Sequence, residues 1–281
     1  MKLLFSEARS DYANYIFPYA IWAIPEPGEP PSRIFACGFL PSSLQLERYY
    51  MCRHVRVRLD AFTPSSENRR VMRKCSNIGY RLVPRSEFAF NAQQREFCKD
   101  YADIKFGKDV MTHERLDALF NSRLVTHVLL FEDPEVDKQV GLVTLYLEEP
   151  NLVYYYYAFY DLSYYKRNLG MFMMTSAVDY FARNRMAYIY LGTCYSRNAL
   201  YKTQFAGAEF FNGFCWSQNL KELKYLITRD KAPVTQHLIE TREFCDRFYH
   251  GDFAKISDAS RFRVDCAADA PAPSSTDESS D

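Results

Sequence analysis

From His54 onward the chain alternates. Val55, Val57 and Leu59 fall on one face of an extended segment and Arg56 and Arg58 on the other, a period of two that predicts a half-buried strand. Apolar, β-branched or aromatic runs at Ile78–Val83, Leu124–Phe131, Gln139–Leu147 and Asn151–Tyr160 predict four more. Glu132-Asp133-Pro134-Glu135 turns one of these back on the next, so three consecutive strands read as an antiparallel meander. The spacing then changes to a helical one over Asn168–Asn184, returns to a strand at Ala187–Leu191, and resumes as a short helix at Leu200-Tyr201-Lys202. The stretch from Tyr154 to Glu209 therefore reads strand, loop, helix, strand, turn, helix, and the rest of the chain is its scaffold and substrate surface.

The flanks are less regular. Residues 1–24 carry a short helix pattern followed by the apolar Tyr19-Ala20-Ile21-Trp22, and Pro25 to Pro31 form a rigid connector. Ile34–Leu40 is a short strand candidate, with Gly38 at a bulge or close backbone approach. Thr63-Pro64-Ser65-Ser66 starts a helix that either serine caps, with Glu67 in its first turn. Ser86–Phe106 reads as a helix. Ser86 is a partial cap, because Ala89 stands where a capping box would put Glu or Gln. Thr112 caps a short helix to Leu119, and Val234–Tyr249 reads as another. Beyond Arg263 there are five acids and no Lys or Arg, a composition that predicts a disordered acidic tail.

The 281 residues suffice for one large domain or two smaller ones, and 48% hydrophobic with 25% charged residues is ordinary for a soluble protein with a substantial core. The start of the chain, MKLLFSEARSDY, has no apolar run of signal-peptide length. No run of about 18 apolar residues predicts a membrane span. The eight cysteines are scattered without a C-x-x-C pair, which argues for reduced thiols, a cytoplasmic setting and no structural metal. The five histidines form no cluster and read as structural.

Net charge is zero, so whole-molecule attraction to nucleic acid is not indicated and local patches matter. One stands out. Residues 53–85 hold nine Lys or Arg against two acids. Arg69, Arg70, Arg73 and Lys74 follow the helix start at spacings that put Arg69 with Arg73, and Arg70 with Lys74, on adjacent stripes of one face. Such a face is either a solvated surface or a site for phosphates.

Arg167-Asn168-Leu169-Gly170-Met171-Phe172 matches the first half of an R-x-x-G-x-G/A loop, in which a helix N-terminus grips a pyrophosphate. Phe172 stands where that loop wants Gly or Ala, which argues against ordinary acetyl-CoA binding and leaves the helix N-terminus intact. With the element order β-β-β-α-β-α the chain resembles GNAT-type acyltransferases. The expected fold is α+β: a mixed, mostly antiparallel sheet flanked by helices. Its expected parts are a basic subdomain over 1–110, a transferase subdomain over 111–216, a helical extension over 217–263 and the tail over 264–281.

Two ordered blocks carry a closer resemblance. Val55-Arg56-Val57-Arg58, Phe62-Thr63-Pro64-Ser65, Arg69-Arg70 and Arg73-Lys74 form the first. Tyr160-Asp161, Leu169-Gly170-Met171-Phe172, Tyr188-Ile189-Tyr190-Leu191-Gly192 and Leu200-Tyr201-Lys202-Thr203-Gln204-Phe205, ending at Glu209, form the second. Over roughly residues 10–216 the chain resembles the arginyl- and leucyl-tRNA–protein transferases. It departs from them at Asn14, where the family has the first of its clustered N-terminal cysteines, and over Thr193–Arg197; of that cluster only Cys52 matches.

The resemblance implies transfer of arginine or leucine from aminoacyl-tRNA to a protein N-terminus bearing Asp or Glu, an N-degron tag, with no membrane partner. An aminoacyl ester is already activated, so no cofactor is expected. The acceptor α-amine, of ordinary pKa near 8, needs only modest base help, and the tetrahedral oxyanion needs donors. On this reading Asp161 orients or deprotonates the amine, and Tyr201 and Lys202 serve the tRNA end or the oxyanion. Arg56 or Arg58 reads the acidic acceptor side chain. Arg69, Arg70, Arg73 and Lys74 hold phosphates, and Gly170 opens the helix N-terminus to the tRNA. Two other classes fit the same residues: an enzyme using another acyl donor, and a catalytically lapsed relative that binds tRNA or acidic N-termini.

Overall fold

The computed structural model describes residues 1–262; the acidic-tail expectation lies outside them. Strands β1 (Lys2–Glu7) and β2 (Tyr19–Ile24), helix α1 (Pro31–Ala36), β3 (Phe39–Pro41) and β4 (Tyr49–Met51) come first. Next are β5 (His54–Arg58), α2 (Ser66–Lys74), β6 (Gly79–Pro84), α3 (Ala92–Lys105) and α4 (His113–Phe120). The meander is β7 (His127–Asp133), β8 (Lys138–Glu148) and β9 (Leu152–Tyr160), followed by α5 (Leu169–Arg183) and β10 (Tyr188–Thr193). The described chain closes with β11 (Ala208–Phe211), β12 (Trp216–Ser217), α6 (Leu220–Arg229), α7 (Arg242–Tyr249) and α8 (Phe253–Ala259).

These strands make two sheets. The small one runs β1-β2-β4-β3 and the large one β12-β11-β5-β10-β9-β8-β7-β6. Every pairing is antiparallel except β9 with β10, which are parallel because α5 is the crossover between them. The expected α+β architecture, a mixed, mostly antiparallel sheet flanked by helices, is the one observed. Strands β5 and β6, from before residue 110, sit in the same sheet as β7 to β12.

Alternation assigns the two faces of the large sheet. Val55, Val57, Leu129, Val143, Leu145, Val153 and Ile189 meet Leu169, Phe172, Met173, Ala177 and Phe181 of α5. On the other face Val128, Leu130, Leu142 and Phe159 pack under α3 and α4. Farther along that face, Leu152, Tyr154 and Tyr190 pack under Ile34 and Phe35 of α1 and Tyr49 of the small sheet. The sheet is covered on both sides, so its strands are apolar on both faces. No helix among the described residues is long and apolar enough to cross a membrane.

Several local signals hold. Ser65 accepts from Asn68 N at 3.1 Å while Asn68 Oδ1 accepts from Ser65 N at 3.0 Å, a reciprocal cap on α2. Thr112 caps α4. Gly38 has φ +91°, and a Cβ there would collide with the Phe211 ring.

Elsewhere the tertiary structure overrides the local pattern. Residues 1–24 form the β1–β2 hairpin instead of a helix, because register pairing from Lys2↔Ile24 to Glu7↔Tyr19 outweighs a weak local pattern. Ile34 lies in helix α1 instead of a strand, since Pro31 takes the first helical position, where its missing N–H costs nothing. Helix α3 starts six residues later than Ser86, capped by Asn91 accepting from Gln94 N at 3.0 Å. Helix α7 starts at Arg242 instead of Val234, and α6, with Leu223, Leu226 and Ile227 buried at helical spacing, was not foreseen.

Candidate active site

The parallel pair β9–β10 is in register only from Leu152↔Tyr188 to Tyr154↔Tyr190. Past a bulge between Tyr190 and Gly192, β10 continues along β5, while β9 continues along β8 as far as Tyr160. The two strands part, and a cleft of about 1240 Å³ opens between them. A second bulge, opposite Thr144 and Leu145, gives β9 one extra residue and puts the Tyr156 and Tyr157 rings beside each other, centroids 4.5 Å apart.

Helix α5 begins at this cleft, which Asn168, Leu169, Gly170 and Met171 line. Asn168 turns the chain into the helix from the left-handed region (φ 63°) and no side chain caps the first turn. Its leading N–H groups and the positive end of the helix dipole therefore face the cleft. Gly170 packs closely there: a Cβ would come within 2.8 Å of the Tyr160 ring.

The opposite wall comes from β10 and the 3-10 segment Arg197–Thr203. Lys202 Nζ donates to Thr193 O at 2.9 Å, which leaves two N–H bonds for a ligand. Burial lowers the Lys202 pKa, with nearby Cys194 opposing the shift. Tyr201 is 47% exposed on the same wall, and partial burial raises its pKa, with Tyr160 and Cys194 adding to the rise. Tyr201 therefore stays protonated near neutral pH, with a hydroxyl able to donate a hydrogen bond. Glu67, the one acid among the described residues that line the cleft, is held by Arg70 Nε at 2.6 Å.

Of the residues singled out by sequence, the structure brings Tyr201, Lys202 and Gly170 together in the cleft. Arg56 lies elsewhere. Its strand pairs Arg56 with Glu209 on one side and Tyr190 on the other. The guanidinium donates to Glu209 Oε2 from Nε at 2.9 Å and from Nη2 at 2.8 Å, under Trp216 and Tyr188 at 3.8 and 4.2 Å. Alternation sends Arg56 away from Val55 and Val57 as expected, but that face is covered and not open to an acceptor. Arg58 is partly exposed and paired with Asp60 at 3.1 Å.

Asp161 follows β9 but does not line the cleft. It accepts from Lys138 Nζ at 2.6 Å and Ser163 N at 2.8 Å. Burial pushes its pKa up, the bonds from Lys138 and Ser163 pull it down further, and the net shift is downward. Arg167 is likewise occupied, by Lys74 O, Asn77 and, at 3.7 Å, Asp133. On α2, Arg69 donates to Pro64 O and Arg70 pairs with Glu67. Arg73 and Lys74 are exposed, with no ion-pair partner within 4.0 Å among the described residues.

Sequence reasoning passed over Glu209 as the partner of Arg56, and Tyr101, Lys105, Phe106 and Tyr165 as cleft residues. The last four come from two segments that only the fold brings together, and no spacing rule would have joined them. Cys52 is buried 3.6 Å from His54 Nδ1. The described cysteines are free, and no group of three His, Cys, Asp or Glu among the described residues could hold a metal ion.

No family model and no curated protein matches the sequence. Three solved structures are similar at low identity. The first is a C-terminal DUF2156 domain, assigned to a lysylphosphatidylglycerol synthetase, from Agrobacterium fabrum: 11% identity, 58% of this chain and 50% of that one, TM-score 0.40. FemX follows at 7% identity, 50% and 53% coverage and TM-score 0.39. A GCN5-related glucosamine N-acetyltransferase region in a fungal multi-domain GH3 β-N-acetylglucosaminidase has 11% identity, 57% and 20% coverage and TM-score 0.37. The chain thus spans about half the length of the first two.

Proposed function

We propose that this protein is an aminoacyltransferase that moves an amino acid, arginine or leucine, from aminoacyl-tRNA to the α-amine of a protein beginning with Asp or Glu. The observation that carries the reading is the parting of β9 and β10 over the uncapped start of α5, with the Lys202 amine on the facing wall. That geometry suits a substrate threaded between two strands with its carbonyl near backbone N–H groups and a cation. The acceptor nitrogen forms a bond to the ester carbonyl carbon, giving a tetrahedral oxyanion. Collapse breaks the carbon–oxygen bond to the terminal ribose, and the nitrogen's proton is released as the ribose hydroxyl regains one. Roughly a tenth of an α-amine is already neutral at pH 7, so the oxyanion is where help is needed. Lys202, with Tyr201 beside it, is the candidate donor. The basic face of α2, reaching the cleft through Glu67, suits the tRNA phosphates.

The test is a transfer assay with a labelled aminoacyl-tRNA pool and peptides that differ only in the first residue. The expected result is label on Asp and Glu peptides only, with Lys202→Met lowering kcat by about 100-fold, the usual loss for one oxyanion donor. No transfer to any peptide would refute the reading.

A further inference from the structure

One wall of the cleft has no part in the chemistry above. It is built from the end of β9, the end of α3 and the turn Leu162–Arg167. Tyr157, Phe106, Tyr101 and Tyr160 form a continuous run, with centroids 6.2 Å apart for Phe106–Tyr157, 5.9 Å for Tyr101–Phe106 and 4.8 Å for Tyr101–Tyr160. Lys105 reaches across to the Tyr165 ring at 5.1 Å. All of these line the cleft. A core cluster would be covered, yet Phe106 is 41% and Tyr165 65% exposed.

Rings standing open in a groove beside a lysine are the pattern of a single-stranded nucleic-acid site, where bases stack and cations follow the backbone. Charge favours the same ligand. Among the described residues the cations lining the cleft are Lys105 and Lys202, the one lining acid is held by Arg70, and Arg73 and Lys74 are exposed on α2. We propose that this aromatic wall is a stacking platform for the unpaired 3′ end of an RNA, with Phe106 and Tyr165 taking bases and Lys105 a backbone phosphate. It rests on the aminoacyl-tRNA reading of the cleft and adds which residues hold the single strand and that they lie apart from the basic helix. Phe106 and Tyr165 take the bases before the terminal nucleoside, whose ester then lies toward α5 and Lys202.

Binding tests this without any turnover. The probes are two deacylated tRNA minihelices with the same stem, one ending in an unpaired CCA and one blunt, measured by fluorescence anisotropy against the parent protein and Phe106→Ala/Tyr165→Ala. Both rings are exposed, so the variant should keep its circular dichroism and melting temperature. The expected result is binding of the CCA minihelix at least tenfold tighter than the blunt one, with that advantage lost in the variant. A variant that keeps the preference, or a parent protein that binds both minihelices equally or neither, overturns the platform. Preference for CCA with no transfer from any aminoacyl-tRNA would refute the transferase reading and leave the platform standing. Transfer whose KM for aminoacyl-tRNA is unchanged in the variant would do the reverse. Displacement of the CCA minihelix by micromolar coenzyme A but not by excess free CCA trinucleotide would overturn the RNA assignment in favour of a nucleotide cofactor.

Discussion

Replacing Arg56 separates a structural role from a substrate-binding one. Its side chain is 5% exposed and that of Glu209 10%, and the two share two hydrogen bonds. Arg56→Met keeps most of the aliphatic volume and strands a carboxylate in the interior. Removing one partner of a buried pair costs about 3–5 kcal/mol. The loss of contacts to the Trp216 and Tyr188 rings adds to it, at roughly 1–2 kcal/mol for such stacking. Gln218 Nε2, 3.2 Å from Glu209 Oε1, keeps one bond to the carboxylate and holds the total to about 4 kcal/mol. For a chain of this size that lowers Tm by roughly 10 °C. Urea denaturation followed by circular dichroism gives the free energy, and Arg56→Met/Glu209→Gln completes the cycle. Because the double variant has no uncompensated charge, it should regain about 2 kcal/mol over Arg56→Met. If Arg56→Met unfolds within 1 kcal/mol of the parent, the buried pair is not what holds β5 to β11. If it instead raises KM for acidic acceptors at unchanged stability, Arg56 contacts substrate after all.

Three further outcomes follow from the same geometry. His54 is fully buried and its Nδ1 donates to Cys52 O at 2.8 Å; burial drives its pKa down to about 3. Between an unfolded pKa of about 6.5 and that value the unfolded chain takes a proton the folded one refuses, so stability falls with falling pH by ~1.4 kcal/mol per unit. His54→Phe, ringed by Tyr190, Phe211 and Trp216, should make the stability curve shallower by one proton in that window. Gly170→Ala must displace the Tyr160 ring, which lines the cleft. Tm should change little, by the equivalent of less than about 1 kcal/mol, while the KM for aminoacyl-tRNA rises. Arg73→Ala/Lys74→Ala should weaken tRNA binding and reduce the slope of log K against log salt by about 2, and an unchanged slope would take α2 out of the interface.

The parts legible in the sequence were those set by neighbours along the chain. The period-two run at Val55-Arg56-Val57-Arg58 placed β5, and the meander followed from Asp133-Pro134 and the runs around it. The caps at Ser65 and Thr112 needed only a side-chain oxygen within three residues of an N–H. Gly170 stood out because a helix start that lacks a Cβ is a local feature. Residues 1–24 and the first part of Ile34–Leu40 depart from the local pattern where pairing across the small sheet, or a proline at the first helical position, decides between two weak preferences, while Phe39 and Leu40 do form a strand.

The site itself was decided in three dimensions. Alternation shows that Arg56 faces away from Val57, but not that β11 pairs beside it and brings Glu209 to its guanidinium while Trp216 and Tyr188 cover it. Asp161 reads as a free carboxylate until β8 brings Lys138 to it. Helix α3 and the turn before α5 become one aromatic wall only because α3 packs on β9 and the turn follows from the end of that strand. Burial and charge pairing depend on what the rest of the chain brings to a face. Sequence therefore determined which residues could bear chemistry, and the packing of distant segments decided which of them are open to a substrate.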